Sequence, residues 1–536
     1  MVGAAFKPTI LCNMRIFPQT LILLCLLPAC AAPVVSPAFT PTLIPVQAPF
    51  AARDTLTGEW LGGFTKSDGS VFSLIISFTD TGGNLNIQPF TKSWSLSDFV
   101  QAENNITFNI IGKSPDLFEQ IHFEGELSNS GLTGDLNWDD DSYPVEFSAL
   151  TQIDARLLEK YVGVYRFDSG RTVSVLLCPS YDDGKLQYFP PGLMFTDLTS
   201  GDSRGLYPLE DSTFGLGSAR VLAYPLEENR IQFILNDSGE VTGLQSIDSS
   251  DPAKIEIASP INYSVEDVTF TSADGAVMAG LLTSPETSEP HSAFMMLHGS
   301  EPGVKDGFGQ QILAHYMISQ GIALLTYDKR GVGNSEGGYS ESANESNINL
   351  IASDAVAGAD YLSARPEIDS TKIGLIGGSQ AGWVIPVAAA QSDKVDFFVI
   401  FSGPVLSFAH EDRYSSVTND GDSATTYDAE KLDQTLREMK PSGVDPIPVL
   451  AELTQPGLWL WGSVDKNVPS TVSAENLQTL IDSDKTNFSY TILPNGDHNL
   501  NESAHGYFAE IPYSPRVLYF SKLTEWLEQN NLTKKE

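Results

Sequence analysis

From Tyr263 to the end, short apolar runs alternate with longer stretches of helical periodicity, and few folds accommodate that alternation. Phe294–Leu297, Ile322–Thr326, Lys372–Ile376, Phe397–Phe401, Leu458–Trp461 and Ser489–Leu493 read as strands. Gln310–Ser319, Asn347–Ser363, Gln380–Gln391, Ala474–Asp482 and Pro515–Asn530 read as the helices between them. Strands apolar on both faces belong in a mostly parallel sheet covered by helices on either side. Residues 251–536 are therefore expected to form one α/β domain. At about 404–456 the pattern lapses into a polar, helix-compatible stretch that includes Thr425–Met439, suited to a cap-like insertion.

The preceding half has a different texture. At 54–152, Phe72–Phe78, Ile106–Ile111, Ile121–Leu127 and Tyr143–Phe147 are separated by Gly, Asn and Asp clusters, the pattern of strands and hairpins without helices. A second such stretch, 153–250, contains Arg230–Leu235. The openings are alike: Gly58-Glu59-Trp60 leads through Ser67-Asp68-Gly69 into an apolar run, and Gly163-Val164-Tyr165 does so through Asp168-Ser169-Gly170. Each reads as strand, tight turn, strand. Two small all-β accessory domains are expected, and the first resembles the G-x-W start of lipocalin-like barrels.

The N-terminus reads as an address. Arg15 precedes the apolar run Leu21–Leu27, followed by Pro28-Ala29-Cys30-Ala31, so residues 1–30 have the regions of an export signal, with Met14 an alternative start. The run is too short to span a membrane, which takes about 20 apolar residues. Leu27-Pro28-Ala29-Cys30 resembles a bacterial lipobox and makes Cys30 the candidate lipidation site. Ala29-Cys30-Ala31 also suits ordinary cleavage, for a secreted or periplasmic protein. Evenly spaced prolines at 33, 37, 41, 45 and 49 make 31–53 an extended linker.

Chemistry concentrates in Lys372–Trp383. A β-rich run ends at Gly377, Ser379 occupies the turn, and a helix begins at once, the context of a nucleophile elbow. The match to G-x-S-x-G has Ala381 in the last position. A serine needs a base, and the base needs an acid to orient it. Asp465 follows the strand candidate at 458–461, and His498 follows the one at 489–493. Asp497 competes for the acid role. The small-residue turn His298-Gly299-Ser300 suggests Ser300 and Gln380 as backbone donors to an oxyanion, with His298 bracing the loop.

His298-Gly299, Tyr327-Asp328-Lys329-Arg330-Gly331-Val332-Gly333-Asn334-Ser335, Ser379-Gln380-Ala381-Gly382-Trp383, Phe401-Ser402-Gly403-Pro404, Asp465 and His498 together resemble an α/β-hydrolase. The similarity is to the branch of serine aminopeptidases, prolyl-oligopeptidase-like enzymes and exported bacterial esterases. It implies that Ser379 is the nucleophile, Asp465 the orienting acid and His498 the base. The expected activity is cleavage of a small acyl ester without a cofactor. Short-peptide hydrolysis by the same triad is the alternative, and an inert surface-binding lipoprotein is a third reading.

Composition excludes other classes. With 31 Lys and Arg against 68 Asp and Glu, the net charge of −37 opposes binding to nucleic acid or to an anionic lipid surface, leaving a lipid anchor as the expected membrane contact. Four cysteines, three of them within the first thirty residues, rule out a disulfide framework or a Cys-ligated metal in the folded body. Cys178, alone in an apolar run, reads as core filler. Without H-E-x-x-H, and with His410-Glu411-Asp412 lacking a second histidine, no metal is implied.

Overall fold

The computed structural model describes residues 56–534 apart from 67–70, 89–92, 113–119, 129–130, 139, 152, 179–191, 211, 219–228, 249–250, 252, 484–486 and 508–515. Cys30, the export signal and the linker lie outside the described residues.

The first β unit is a nine-stranded antiparallel sheet. Its first strand, Gly58–Thr65, pairs with Val71–Thr79 on one side and with the last strand, Asp141–Leu150, on the other. Alternation turns one face inward, as in Asn105–Ile111, where Ile106, Phe108 and Ile110 are buried. Trp60, Phe64, Phe108, Phe123 and Phe147 fill the enclosed core.

The second unit is a closed eight-stranded barrel running from Gly163–Phe167 to Ile255–Pro260. Closure places the boundary at Pro260 and not at the expected 250. The last strand pairs back onto the first, Tyr165 opposite Pro260, which removes the open sheet edges. Asp251 falls between the antiparallel strands Val241–Asp248 and Ile255–Pro260, and its N–H donates to the Asp248 carbonyl.

The C-terminal domain holds eight strands: β1 (Tyr263–Thr271), β2 (Val277–Pro285), β3 (His291–Leu297), β4 (Ala323–Tyr327), β5 (Ile368–Gly378), β6 (Phe397–Phe401), β7 (Gly457–Gly462) and β8 (Phe488–Leu493). Their order is β1-β2-β4-β3-β5-β6-β7-β8, parallel from β4 to β8. The antiparallel β1 and β2 were not among the expected strands. The edge strand β1 is half exposed and polar, so it lacks the continuous apolar signature of β3 to β8.

Helices α1 (Phe308–Ser319), α2 (Glu345–Ser363), α3 (Ala381–Gln391), α4 (Phe408–Thr418), α5 (Ala429–Glu438), α6 (Ile447–Leu450), α7 (Ser470–Asp482) and α8 (Phe520–Gln529) complete the domain. One face of the sheet is covered by α2, α3 and α7, the other by α1 and α8. The last helix is shorter than the expected Pro515–Asn530. Arg516 and Val517 are extended instead, in bridges to Asp202 and Asn501. The expected insertion is helical, comprising α4, α5 and α6 between β6 and β7.

The units are joined in series. Leu61, Ile75 and Leu150 of the first sheet pack on Leu209 of the barrel. Val164, Leu176 and Leu198 of the barrel enter the same core as α1 and α8. At that second joint, His315 of α1 is buried between the hydroxyls of Ser174, at 2.7 Å, and Tyr263, at 3.1 Å.

Candidate active site

The site forms where parallel strands end side by side. At the end of β5 the chain turns at Ser379, whose φ of 54° is left-handed, a conformation costing about 1–3 kcal/mol in a non-glycine residue. The turn is pinned by the Ser379 N–H donating to the Phe401 carbonyl at 3.0 Å and by the Gly382 N–H donating to the Ser379 carbonyl at 2.8 Å. Glycine is required beside it: a Cβ on Gly382 would stand 2.8 Å from the Gly403 Cα. Ser379 thus sits at a strained strand-to-helix elbow, with α3 beginning two residues later.

Asp465 and His498 come from the loops after β7 and β8. The His498 Nδ1 lies 3.0 and 3.1 Å from the two Asp465 carboxylate oxygens. Asp465 Oδ1 also accepts from the backbone N–H groups of Asn467 and Val468, which fixes the carboxylate in a turn of its own. Its side chain is fully buried, whereas that of His498 is 13% exposed. Asp497 is not the partner, because its Oδ1 accepts from the Asn499 and Asn501 N–H groups of its own loop. Burial opposes protonation of His498, but the charge and hydrogen bond of Asp465, aided by Asp497 and Glu411, outweigh it and hold the imidazole above the ordinary histidine range.

Ser300 lies in the turn after β3, and that turn touches the elbow. A Cβ placed on Gly299 would stand 2.5 Å from Glu301 Oε2 and 3.3 Å from the Ser379 Cβ, so the turn and the elbow pack closely there. His298 braces the turn, with its Nε2 2.6 Å from the Tyr327 carbonyl oxygen and its Nδ1 3.6 Å from Glu301 Oε1. Burial raises the Glu301 carboxyl, yet the bond to His298 and the charges of His298 and Lys329 hold it down at about 2. Gln380 directly follows Ser379, and its backbone N–H has no protein acceptor among the described residues. The site residues therefore stand in two groups along one edge of the sheet, a Ser379–Gln380–Ser300 cluster after β3 and β5 and an Asp465–His498 pair after β7 and β8, with the end of β6 between them.

Several contributors escaped the sequence reading. Tyr414 of α4 donates its hydroxyl to the Asp465 carbonyl at 2.8 Å, tying the insertion to the acid's loop. Glu411, also on α4, feels the charges of His498 and Asp465, and burial pushes its carboxyl up to about 8. Lys329 is buried beside Gly299 and Gln380. The first two lie in a stretch without strand periodicity. Lys329 lies in the Tyr327–Ser335 segment, whose local sequence carries no sign of its partners.

Residues 310–513 match the family model for the prolyl oligopeptidase family. The C-terminal half has the α/β-hydrolase fold. Over 154 residues this chain is 30% identical to polyketide transferase claH of Penicillium crustosum, an alignment covering 28% of this chain. It covers 48% of that protein, so the chain spans about half the length of the curated relative it matches. Among solved structures, the hydrolase region is similar to the Pyrococcus furiosus esterase Pf2001, with 17% identity, TM-score 0.35, and coverage of 50% of this chain and 91% of that one. It is also similar to Est1E from Butyrivibrio proteoclasticus, with 17% identity, TM-score 0.33, and coverage of 49% and 98%. At such scores these likenesses carry no weight, and the hydrolase fold rests on the family match and the strand order.

Proposed function

We propose that this protein is an exported serine hydrolase that cleaves a carboxylic ester. The observation that supports it is the Asp465–His498 pair on the loops after β7 and β8, at the same edge of the parallel sheet as the strained elbow of Ser379 after β5. With Nδ1 held by Asp465, the Nε2 of His498 is the free ring nitrogen that takes the Ser379 proton as Oγ attacks the carbonyl. Negative charge developing on the carbonyl oxygen is received by the N–H groups of Ser300 and Gln380, next to the positive end of α3. His498 then protonates the leaving alcohol, an acyl-enzyme remains on Ser379, and water brought in by the same base releases the acid.

A second reading, cleavage of short peptides or aminoacyl amides by the same residues, is favoured by the match to the prolyl oligopeptidase family. The deciding experiment incubates the mature protein with short-chain acyl esters and with aminoacyl amides, with Ser379→Ala in parallel. Ester turnover that disappears in the variant supports the first reading, and amide turnover alone supports the second. Turnover that survives Ser379→Ala sinks both. Export and anchoring through Cys30 belong to the proposal on the strength of residues 15–30. Cys30→Ala is expected to release the protein from the membrane fraction, and unchanged membrane retention would argue against the anchor.

A further inference from the structure

Lys329 carries an ammonium group in a place where few lysines are found. It follows β4 and is 2% exposed. Its Nζ donates to the Gly299 carbonyl at 2.5 Å, to the Glu301 carbonyl at 3.3 Å and to the side-chain Oε1 of Gln380 at 3.3 Å. Three acceptors match the three protons of an ammonium. They belong to the two segments that supply the oxyanion donors.

The geometry of the peptide group makes this arrangement consequential. The Gly299 carbonyl and the Ser300 N–H are one planar trans unit, so they point in opposite directions. Anchoring the carbonyl on Lys329 therefore aims the Ser300 N–H away from the lysine, and a positive charge on the carbonyl polarises that N–H into a stronger donor. The next peptide is held by Tyr339, which donates its hydroxyl to the Ser300 carbonyl at 2.6 Å and whose ring stands 5.5 Å from the lysine nitrogen. On the other arm, Gln380 is fixed at both ends of its amide: Oε1 accepts from Lys329, and Nε2 donates to the Glu341 carbonyl at 3.0 Å.

We propose that Lys329 is a positioning residue that sets both arms of the oxyanion hole at once, by holding the Gly299–Ser300 peptide and the Gln380 side chain on a single buried cation. This rests on the reading of Ser300 and Gln380 as the donors. Burial pushes the ammonium down to about 8, against the raising effect of Glu301 and Glu341. Those carboxylates, with Tyr339, are the charged and titratable groups facing it. Loss of the proton on raising the pH removes the charge, so the wild-type enzyme should lose kcat through an alkaline limb near pH 8.

The test is steady-state hydrolysis of a short acyl ester by wild type, Lys329→Met, Lys329→Arg and Ser379→Ala across pH 6–10. Because loss of one oxyanion donor costs about 100-fold or more in kcat, Lys329→Met is expected to lose on that order with KM changed by less than about threefold. Lys329→Arg, which stays charged, is expected to recover part of that loss and to show no alkaline limb. If Lys329→Met does not fold, Lys329→Arg and the wild-type profile decide alone. Met at 329 with wild-type kcat, or Arg with an unchanged alkaline limb, overturns the role of Lys329. Activity surviving in Ser379→Ala overturns the hydrolase reading beneath it, and the two failures are thus separable.

Discussion

The nine-stranded sheet and the eight-stranded barrel open on similar sequences, Gly58-Glu59-Trp60 and Gly163-Val164-Tyr165, and both bury aromatic cores. They differ in what they hold. The sheet rests on the barrel through Leu61, Ile75, Leu150 and Leu209, with the Thr151 N–H donating to the Pro208 carbonyl. The barrel packs on the hydrolase domain, and one of its turns is tied to the loop of His498. There the Val517 N–H donates to the Gly201 carbonyl at 2.9 Å, and Arg516 Nε donates to the Ser200 carbonyl at 3.0 Å. The next tier follows directly: the Glu502 N–H donates to the Arg516 carbonyl, and the Leu518 N–H donates to the Leu500 carbonyl. Asn501 then accepts the N–H of Asp497, the residue before His498. Two units of similar local sequence therefore stand in unlike relations to the chemistry, one as a brace and one as a neighbour of the brace.

The largest expected effect comes from breaking that brace. Gly201 has φ +82°, and a Cβ there would stand 1.9 Å from the Val517 carbonyl oxygen. Gly201→Val should cost about 3 kcal/mol or more and lower ester turnover at least about tenfold by displacing the His498 loop. Gly239, at φ +83° with open space around it, is the matched control. Gly239→Val should show the backbone penalty of about 1 kcal/mol with kcat unchanged. Equal melting temperatures and equal kcat for the two variants would show that the barrel is no brace.

Acid should weaken the barrel's joint next. Burial holds the His315 imidazole down to about 3, so the folded protein binds no proton there while the unfolded chain does below its ordinary value of 6.5. The stability this contributes is complete above pH 6.5 and is lost as the pH falls toward 3, amounting to about 2 kcal/mol at pH 5. Urea midpoints at pH 7 and pH 5 measure it, and His315→Gln should flatten the difference. At the outer joint, Leu209→Ala should cost about 2 kcal/mol of stability and leave kcat unaltered. A fall in kcat would show that the sheet, too, reaches the chemistry.

The smallest effect concerns the insertion. Because His498 titrates above the ordinary histidine range and must be neutral to act as a base, turnover should fall on the acid side at a pH above 6.5. Burial keeps Glu411 largely protonated up to about pH 8, so Glu411→Gln should leave that limb nearly in place; a large displacement would contradict the electrostatic account.

The hydrolase half was largely legible because its determinants are local. Phe397–Phe401 appears in the fold with the bounds its apolar run suggests, and the elbow at Ser379 follows from small residues between a strand and a helix. Strand β1 was not legible, since an exposed edge strand mixes polar and apolar residues. The barrel's closing strand, Ile255–Pro260, was assigned across a boundary because nothing near it in sequence announces its partner, Gly163–Phe167. In the site, the residue types and their order along the chain pointed to Ser379, Asp465 and His498 together, but left Asp465 and Asp497 as rivals.

By itself, then, the sequence determined the alternation that builds the sheet, the elbow and the strand-end positions of the candidate acid and base, since each follows from periodicity and sterics within about a dozen residues. Tertiary structure decided which carboxylate meets His498, how Lys329 joins Gly299 to Gln380, and how Gly201 reaches Val517. Those choices are made by packing between segments tens to hundreds of residues apart, and no local pattern records which distant groups will share a buried hydrogen bond.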